Sequence, residues 1–210
     1  MTKPKVLGIT GGVASGKSQV TRILQSLGAH VIDADRIGHE ILKDPWVRNA
    51  ILRQFGQSVL EDAVLEIEGK KIDRRKLASL VFGDSPQALA RRKMLEAITH
   101  PPIRLKISQE LDRGINDQTI PWIVLDVSLL LESGWDRSCD EVWFIDTPED
   151  QRLQRALQRG WTQEDFHARE ASQWSLQRKR SKATRTLWNG STVEQLKALV
   201  VDALRVSSQP

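Results

Sequence analysis

Apolar and polar residues along this chain change period several times, and each change predicts an element. Val6-Leu7-Gly8-Ile9-Thr10 is a short apolar run ending in glycines, the pattern of a strand that feeds a turn. A helical stripe follows, with Val20, Ile23, Leu24 and Leu27 on one face and Gly28 closing it. His30-Val31-Ile32-Asp33 predicts a second strand. Residues 36–115 read as mostly helical, with Ile103, Ile107 and Leu111 at i, i+4 and i+8 and a turn at Gly69-Lys70-Lys71. Strand patterns return at Ile120 to Val127 and at Val142-Trp143-Phe144-Ile145-Asp146. Pro148 starts a helix at its first turn, and residues 192–206 make the last one. Strands separated by helices predict an α/β fold, a parallel sheet flanked by helices. No repeat, low-complexity tract or linker interrupts the chain, so the helical stretch 36–115 is expected to be a subdomain inserted into one core.

Composition narrows this picture. The 210 residues are 40% hydrophobic and 28% charged, which suits one globular domain. No apolar run reaches the roughly 18–20 residues of a membrane helix. The N-terminal residues lack the apolar region of a signal peptide, and lone Cys139 has no internal disulfide partner. Both features predict a cytoplasmic protein, in which the Asn189-Gly190-Ser191 sequon has no glycosylation meaning and Cys139 is a small packing residue. The net charge of +4 is unevenly placed. Residues 151–185 hold nine Lys/Arg against Glu164, Asp165 and Glu170, a local excess of six. Such a block is a solvated face, a nucleic-acid patch or, if phosphates bind nearby, a cover for them.

The strongest motif is Gly11-Gly12-Val13-Ala14-Ser15-Gly16-Lys17-Ser18, which matches G-x-x-x-x-G-K-[ST] between a predicted strand and a predicted helix. Glycines let backbone N–H groups turn toward phosphates, and the helix N-terminus adds partial positive charge. Lys17, expected to be exposed in the empty loop, supplies a point charge, and the Ser18 hydroxyl ligates Mg2+. Gln19 can offer its backbone N–H to the α-phosphate. The pattern predicts a P-loop NTPase fold that uses ATP with Mg2+. None of the three asparagines begins an Asn-Lys-x-Asp guanine signature, although Asp35-Arg36-Ile37-Gly38 spells D-x-x-G. His39-Glu40-Ile41-Leu42-Lys43 lacks the second histidine of a zinc helix. The seven tryptophans are scattered and mark no nucleic-acid track.

Asp33-Ala34-Asp35 closes the second predicted strand, and ligands of open parallel sheets gather beyond that strand end. Asp33 is therefore a candidate base for an attacking hydroxyl, or a metal-linked carboxylate; its alternative is an N-cap. Asp35 reads either as a cap or as a second functional carboxylate. Arg152, Arg155 and Arg159 share one narrow helical stripe opposite Leu153 and Leu157. That stripe is either solvated or, beside a phosphate loop, suited to a transferring phosphoryl group. Arg169 and Gln173, at i and i+4, are candidates to meet substrate when the segment closes.

Together these pieces resemble the dephospho-coenzyme A kinases along nearly the whole chain. The matches run from Gly8-Ile9-Thr10-Gly11-Gly12 and Val31-Ile32-Asp33-Ala34-Asp35 to Gly69…Ile72-Asp73-Arg74…Leu77…Phe82 and His100-Pro101-Pro102-Ile103. They continue through Leu125 to Gly134, Arg155-Ala156-Leu157-Gln158-Arg159, Arg169…Gln173, Lys179-Arg180 and Asn189-Gly190. The resemblance implies ATP-dependent phosphorylation of the ribose 3′-hydroxyl of dephospho-coenzyme A, the last step of coenzyme A synthesis. It implies a nucleotide core of about 1–35, 118–160 and 186–210, a helical substrate subdomain over 36–115 and a lid over 160–182. Lys17, Asp33 and Arg155 would then be catalytic. ATP would meet Gly12, Ala14, Ser15, Gly16, Lys17, Ser18, Gln19, Arg155 and Arg159, with Asn189 and Gly190 near its adenine. Dephospho-coenzyme A would meet Asp33, Asp35, His100, Arg169 and Gln173, although His100 reads equally as a cap or packing residue at a helix start.

Three positions depart from the family. Ala14 stands where glycine is common and is expected to be tolerated at negative φ. Ser128 replaces a usual proline, and Thr184 a usual aspartate, for which no role is assigned. The lid is expected to stay open without ligand, keeping its cations off the core. Two small-molecule partners are expected, with neither nucleic acid nor membrane. The rival classes are a kinase for a nucleoside or shikimate-like alcohol, a nucleotide switch that docks a protein, and a nucleic-acid ATPase.

Overall fold

Strand β1, Lys5–Gly11, is buried from its second residue to its last, which in a parallel sheet is the mark of a central strand covered on both faces. The computed structural model describes residues 3–61, 71–83 and 85–207. Gly69 and Lys70, part of the expected turn, lie outside the described residues. The other strands are β2 (His30–Asp33), β3 (Trp122–Asp126), β4 (Glu141–Asp146) and β5 (Arg185–Trp188). All pair in parallel in the order β2-β3-β1-β4-β5. Because the chain passes from β3 to β4 across β1, the carboxyl end of β1 is a switch point of the sheet.

The helices are α1 (Lys17–Ser26), α2 (Ala34–Ile41), α3 (Pro45–Phe55), α4 (Arg74–Val81), α5 (Pro86–Asn116), α6 (Glu149–Leu157), α7 (Gln163–Ala171), α8 (Leu176–Lys182) and α9 (Val193–Ser207). The chain divides into two units, one made of residues 1–33 and 111–210, the other of residues 34–110, with the boundary inside α5. In the first, Leu7, Ile9, Trp143 and Ile145 from the sheet pack with Val20 and Leu24 of α1 and Val200 of α9. Gly8 is needed for close approach: a Cβ there would lie 2.7 Å from Leu130 Cδ2 and 2.8 Å from Cys139 Sγ. Cys139 is thus a packing residue, and burial, reinforced by Asp136 and Asp140, pushes its thiol up to about 12.

The second unit has its own core, built on Val47, Ile51, Val59, Leu60, Ile72 and Leu77. Asp44 caps α3 by accepting from Trp46 N at 2.8 Å, and Asp73 caps α4 by accepting from Arg75 N at 2.8 Å. No helix begins at His100. Helix α5 runs unbroken through Pro101 and Pro102, leaving His100 exposed and mid-helix rather than at a helix start. Pro148 likewise sits one position outside its helix, as the N-cap of α6.

The arginine stripe on α6 is not uniformly solvated. Arg152 is 1% exposed, because α7 folds back over it. Its Nε donates to Thr147 O at 3.1 Å, its Nη1 to Val13 O at 3.4 Å and to Glu170 Oε1, and its guanidinium lies 5.4 Å from the Phe166 ring centre. A capping box of Thr162 and Asp165 starts α7 and aims Phe166 into a cluster with Val13 and Ala156. In this structure segment 160–182 is docked on the core through Phe166 and the Arg152–Glu170 pair. Two of the cations in 151–185, Arg152 and Lys179, are buried because carboxylates pair with them.

Removing one member of a buried pair leaves the other charge uncompensated. Arg152→Met should destabilise the fold by about 3 kcal/mol, and adding Glu170→Met should recover most of that loss. Urea unfolding of the two single variants and the double variant checks it; a double variant no more stable than Arg152→Met would refute the pairing.

Candidate active site

The loop between β1 and α1 is shaped from behind through one carbonyl. Ser15 O accepts from Thr147 Oγ1 at 2.8 Å, Asn189 Nδ2 at 2.8 Å and Arg155 Nη1 at 3.4 Å. A peptide unit is planar, with C=O and N–H on opposite sides. A carbonyl held outward by three donors therefore turns the Gly16 N–H the other way, into the loop. The Val13 carbonyl, held by Arg152, does the same for the Ala14 N–H. N–H groups converging ahead of the N-terminus of α1 make an anion nest.

Packing also explains two glycines of the motif. A Cβ on Gly16, at φ 91°, would collide with the Asn189 amide, and one on Gly12 would lie 2.8 Å from Arg152 Nη1. Ala14 overturns the expectation of a negative φ. It stands at φ 56°, in the left-handed region, where an L-residue costs about 1–2 kcal/mol. The loop holds that strain because Val13 is buried on one side and Ser15 on the other.

Lys17 is half-buried rather than exposed, and its Nζ donates to Gly12 O at 3.2 Å. Its pKa is lowered to about 8, chiefly by burial, with Lys179 and Arg159 also lowering it against the opposing pull of Asp126 and Glu132. Ser18 is exposed in the first turn of α1. The backbone N–H of Gln19 is already used, donating to Gly16 O at 2.9 Å, because the first turn is tight; it is not spare for a phosphate.

Asp33 and Asp126 are direct partners in the register of β2 and β3, so two carboxylates end adjacent strands, Asp126 on the strand next to β1 and Asp33 one strand further out. Asp126 Oδ2 accepts from Thr21 Oγ1 at 3.0 Å. Asp126 was not singled out in the sequence, although the run Trp122-Ile123-Val124-Leu125 ending in an acid is the signal of a strand that delivers a carboxylate to the sheet edge. Asp35 occupies the second position of α2, so it does not cap that helix from outside; its charge suits the helix N-terminus. Asp35 and His100 belong to the unit of residues 34–110, and the other candidate residues to the first unit.

Arg155 reaches both Ser15 O and, through Nη2, Asn189 O at 3.3 Å. Arg159 is exposed in the turn just beyond α6. Arg169 stacks 4.2 Å over Trp161, and Gln173 lies beyond the end of α7, so the two do not share one helical face. The amide nitrogen of Asn189 is spent on the loop, and Gly190, whose carbonyl accepts from Gln151 Nε2 at 3.0 Å, is flush against Trp188. Glu132 and Lys179, 3.1 Å apart, also went unassigned: a lysine inside Arg178-Lys179-Arg180 reads as solvated until α8 is seen to turn it inward.

Comparison with known proteins agrees on one group. The dephospho-CoA kinase family model matches residues 5–195. A dephospho-CoA kinase of Rhodopirellula baltica is 38% identical over 199 residues, which cover 95% of this chain and 89% of that protein. The structure of the dephospho-CoA kinase from Campylobacter jejuni superposes with a TM-score of 0.69 at 30% identity, covering 97% of this chain and 96% of that one. Shikimate kinase from Bacteroides thetaiotaomicron shares the fold, with a TM-score of 0.53 at 11% identity over 98% of this chain and 99% of that one.

A lysine whose ammonium is lost near pH 8 makes anion binding pH-dependent. Affinity for inorganic tripolyphosphate should fall as pH rises through about 8, the value for Lys17, and Lys17→Met should abolish that dependence. The sign for stability is opposite. The unfolded chain binds the proton more tightly, so this group destabilises the fold below about 8 and ceases to do so as pH rises toward its ordinary 10.5. Titration calorimetry between about pH 7 and about pH 9, one unit either side of the transition, reads the first effect; a flat profile would contradict it.

Proposed function

The chain belongs to the dephospho-CoA kinase family, and from that premise we propose that it moves the γ-phosphoryl group of ATP to the ribose 3′-hydroxyl of dephospho-CoA, forming CoA. The observation that carries this reading is the pairing of Asp33 with Asp126 at the strand ends beside a loop whose N–H groups are turned inward. Asp33 accepts the proton of the attacking hydroxyl, the new O–P bond forms as the bond to the β,γ-bridging oxygen breaks, and ADP leaves. Lys17, the Gly16 and Ala14 N–H groups and the N-terminus of α1 stabilise charge on the β- and γ-phosphates. Arg155, tied to the loop by Ser15 O, adds a cation beside them, and Arg159 extends it.

The donor set suits Mg2+, which takes one or two carboxylates together with substrate phosphates. Ser18 and Asp126 would hold the ion, and its chemistry there is to neutralise charge on the β- and γ-oxygens. Asp126 has one oxygen fixed by Thr21, which orients the other. We assign dephospho-CoA recognition to Asp33 together with Asp35, His100, Arg169 and Gln173, the helical unit to the acceptor, and segment 160–182 to a lid. Gly190 and the exposed indole of Trp188 flank the place for adenine, while Asn189 acts through the loop. ATP and dephospho-CoA are the partners, in the cytoplasm and without nucleic acid.

Purified protein should convert dephospho-CoA to CoA with one ATP consumed per CoA. Asp33→Asn keeps the shape and loses basicity, so kcat should fall by roughly 10²–10⁴-fold while the KM for ATP changes little. An effect confined to ATP affinity would make Asp33 a metal-linked or capping residue instead.

A further inference from the structure

Two buried charges beside the loop take no part in the chemistry above. Lys179 on α8 is 1% exposed, and the Glu132 side chain, in the segment after β3, is 14% exposed. They pair at 3.1 Å, and Lys179 also donates to Gln173 Oε1 at 2.7 Å. Glu132 Oε1 accepts from Trp174 N at 3.0 Å, but Oε2 is buried with no hydrogen-bond partner among the described residues. Helix α8 lies on the loop itself: Leu176 Cδ2 is 3.1 Å from where a Cβ of Gly12 would be. Lys179 is three residues further on, on the same helical face. Gly12 and Gln173 line one small cavity of about 130 Å³.

Desolvating two opposite charges offsets most of their attraction, so a buried ion pair is a poor device for stability alone. This one is also incompletely bonded, with an orphaned carboxylate oxygen, and a ligand that changed its partners would resolve both faults. Beside a nest of N–H groups, the chemistry that recognises a buried ammonium is a polyphosphate. We propose that Lys179 is a further phosphate-binding cation of this site, held by Glu132 while the loop is empty and transferred to the β- or γ-phosphate when the nucleotide enters. Gln173 keeps hold of the ammonium through its Oε1 during that exchange, a positioning role additional to the substrate recognition assigned to it above. The inference rests on the kinase reading. Its rival is a staple that only fixes α8 to the segment after β3.

Calorimetry of the full chain with ATP and, by competition, AMP separates the two. A lost charge-assisted phosphate contact should weaken ATP binding by about tenfold or more in Lys179→Met. AMP should be unaffected, and Lys179→Arg should restore most of the loss. Glu132→Gln frees the ammonium, so its ATP-to-AMP affinity ratio should exceed that of the wild type. A staple predicts lower thermal stability in Lys179→Met with an unchanged ratio, which overturns the proposal, as does an unchanged or reduced ratio in Glu132→Gln. Should Lys179→Met not fold, the ratio in Glu132→Gln decides. Wild-type turnover of dephospho-CoA is the control: its absence refutes the kinase reading, whereas normal turnover with unmoved ratios refutes only the role of Lys179.

Discussion

Three segments far apart in the chain converge on the carbonyl oxygen of Ser15. Thr147 follows β4, Arg155 stands on α6 and Asn189 follows β5, and each donates to that one acceptor. A free glycine-rich loop would sample many conformations, and ordering its backbone on ligand binding would cost roughly 1–2 kcal/mol per residue. Here the cost is met during folding, by groups that never need to touch a phosphate. The consequence is hierarchical: the sheet must assemble as far as β5 before the loop between β1 and α1 takes its final shape. Arg152 repeats the principle two residues earlier, through Val13 O.

The same economy governs the segment after α6. Phe166 is fully buried against Val13, and Glu170 is paired with Arg152, so α7 is joined to the back of the loop. Helix α8 is joined through Lys179 to Glu132 and through Arg180 to Asp146 at the end of β4. Any motion of this segment must therefore break a defined set of ion pairs, and α7 has the additional anchor of an aromatic ring in an apolar cluster. Movement is easier for α8 than for α7, because α8 is held by charges that a competing anion can exchange.

Strand and helix positions in the first unit were legible because their signals are local: an apolar run, a glycine stop, a P-loop pattern. β2 was placed residue for residue, and the function followed from motifs in order. What escaped was set by tertiary packing. The conformation of Ala14 follows from its buried neighbours, and nothing in the residue itself signals φ 56°. The burial of Arg152 and Lys179 depends on carboxylates 18 and 47 positions away in sequence, which no periodicity reveals. Pro101-Pro102 reads as a helix boundary, but the two prolines deprive only two interior carbonyls, those of Ala97 and Ile98, of their i+4 N–H partners, and α5 continues through the loss. Asp126 reads in the sequence only as part of the run Leu125 to Gly134, and the register with Asp33 is what makes it half of a carboxylate pair.

Cys139 offers a practical dividend. Its sulfur is pressed against Gly8 and its thiol is held near 12, so at neutral pH almost none of it is the reactive thiolate. The chain holds no other cysteine. Maleimide should therefore react far more slowly with the partly buried Cys139 than with a single cysteine introduced at an exposed position of α7 or α8, which becomes the preferred attachment point. A fluorophore or spin label placed there reports on one helix at a time, with no need to remove the native sulfur and disturb the strand it packs against.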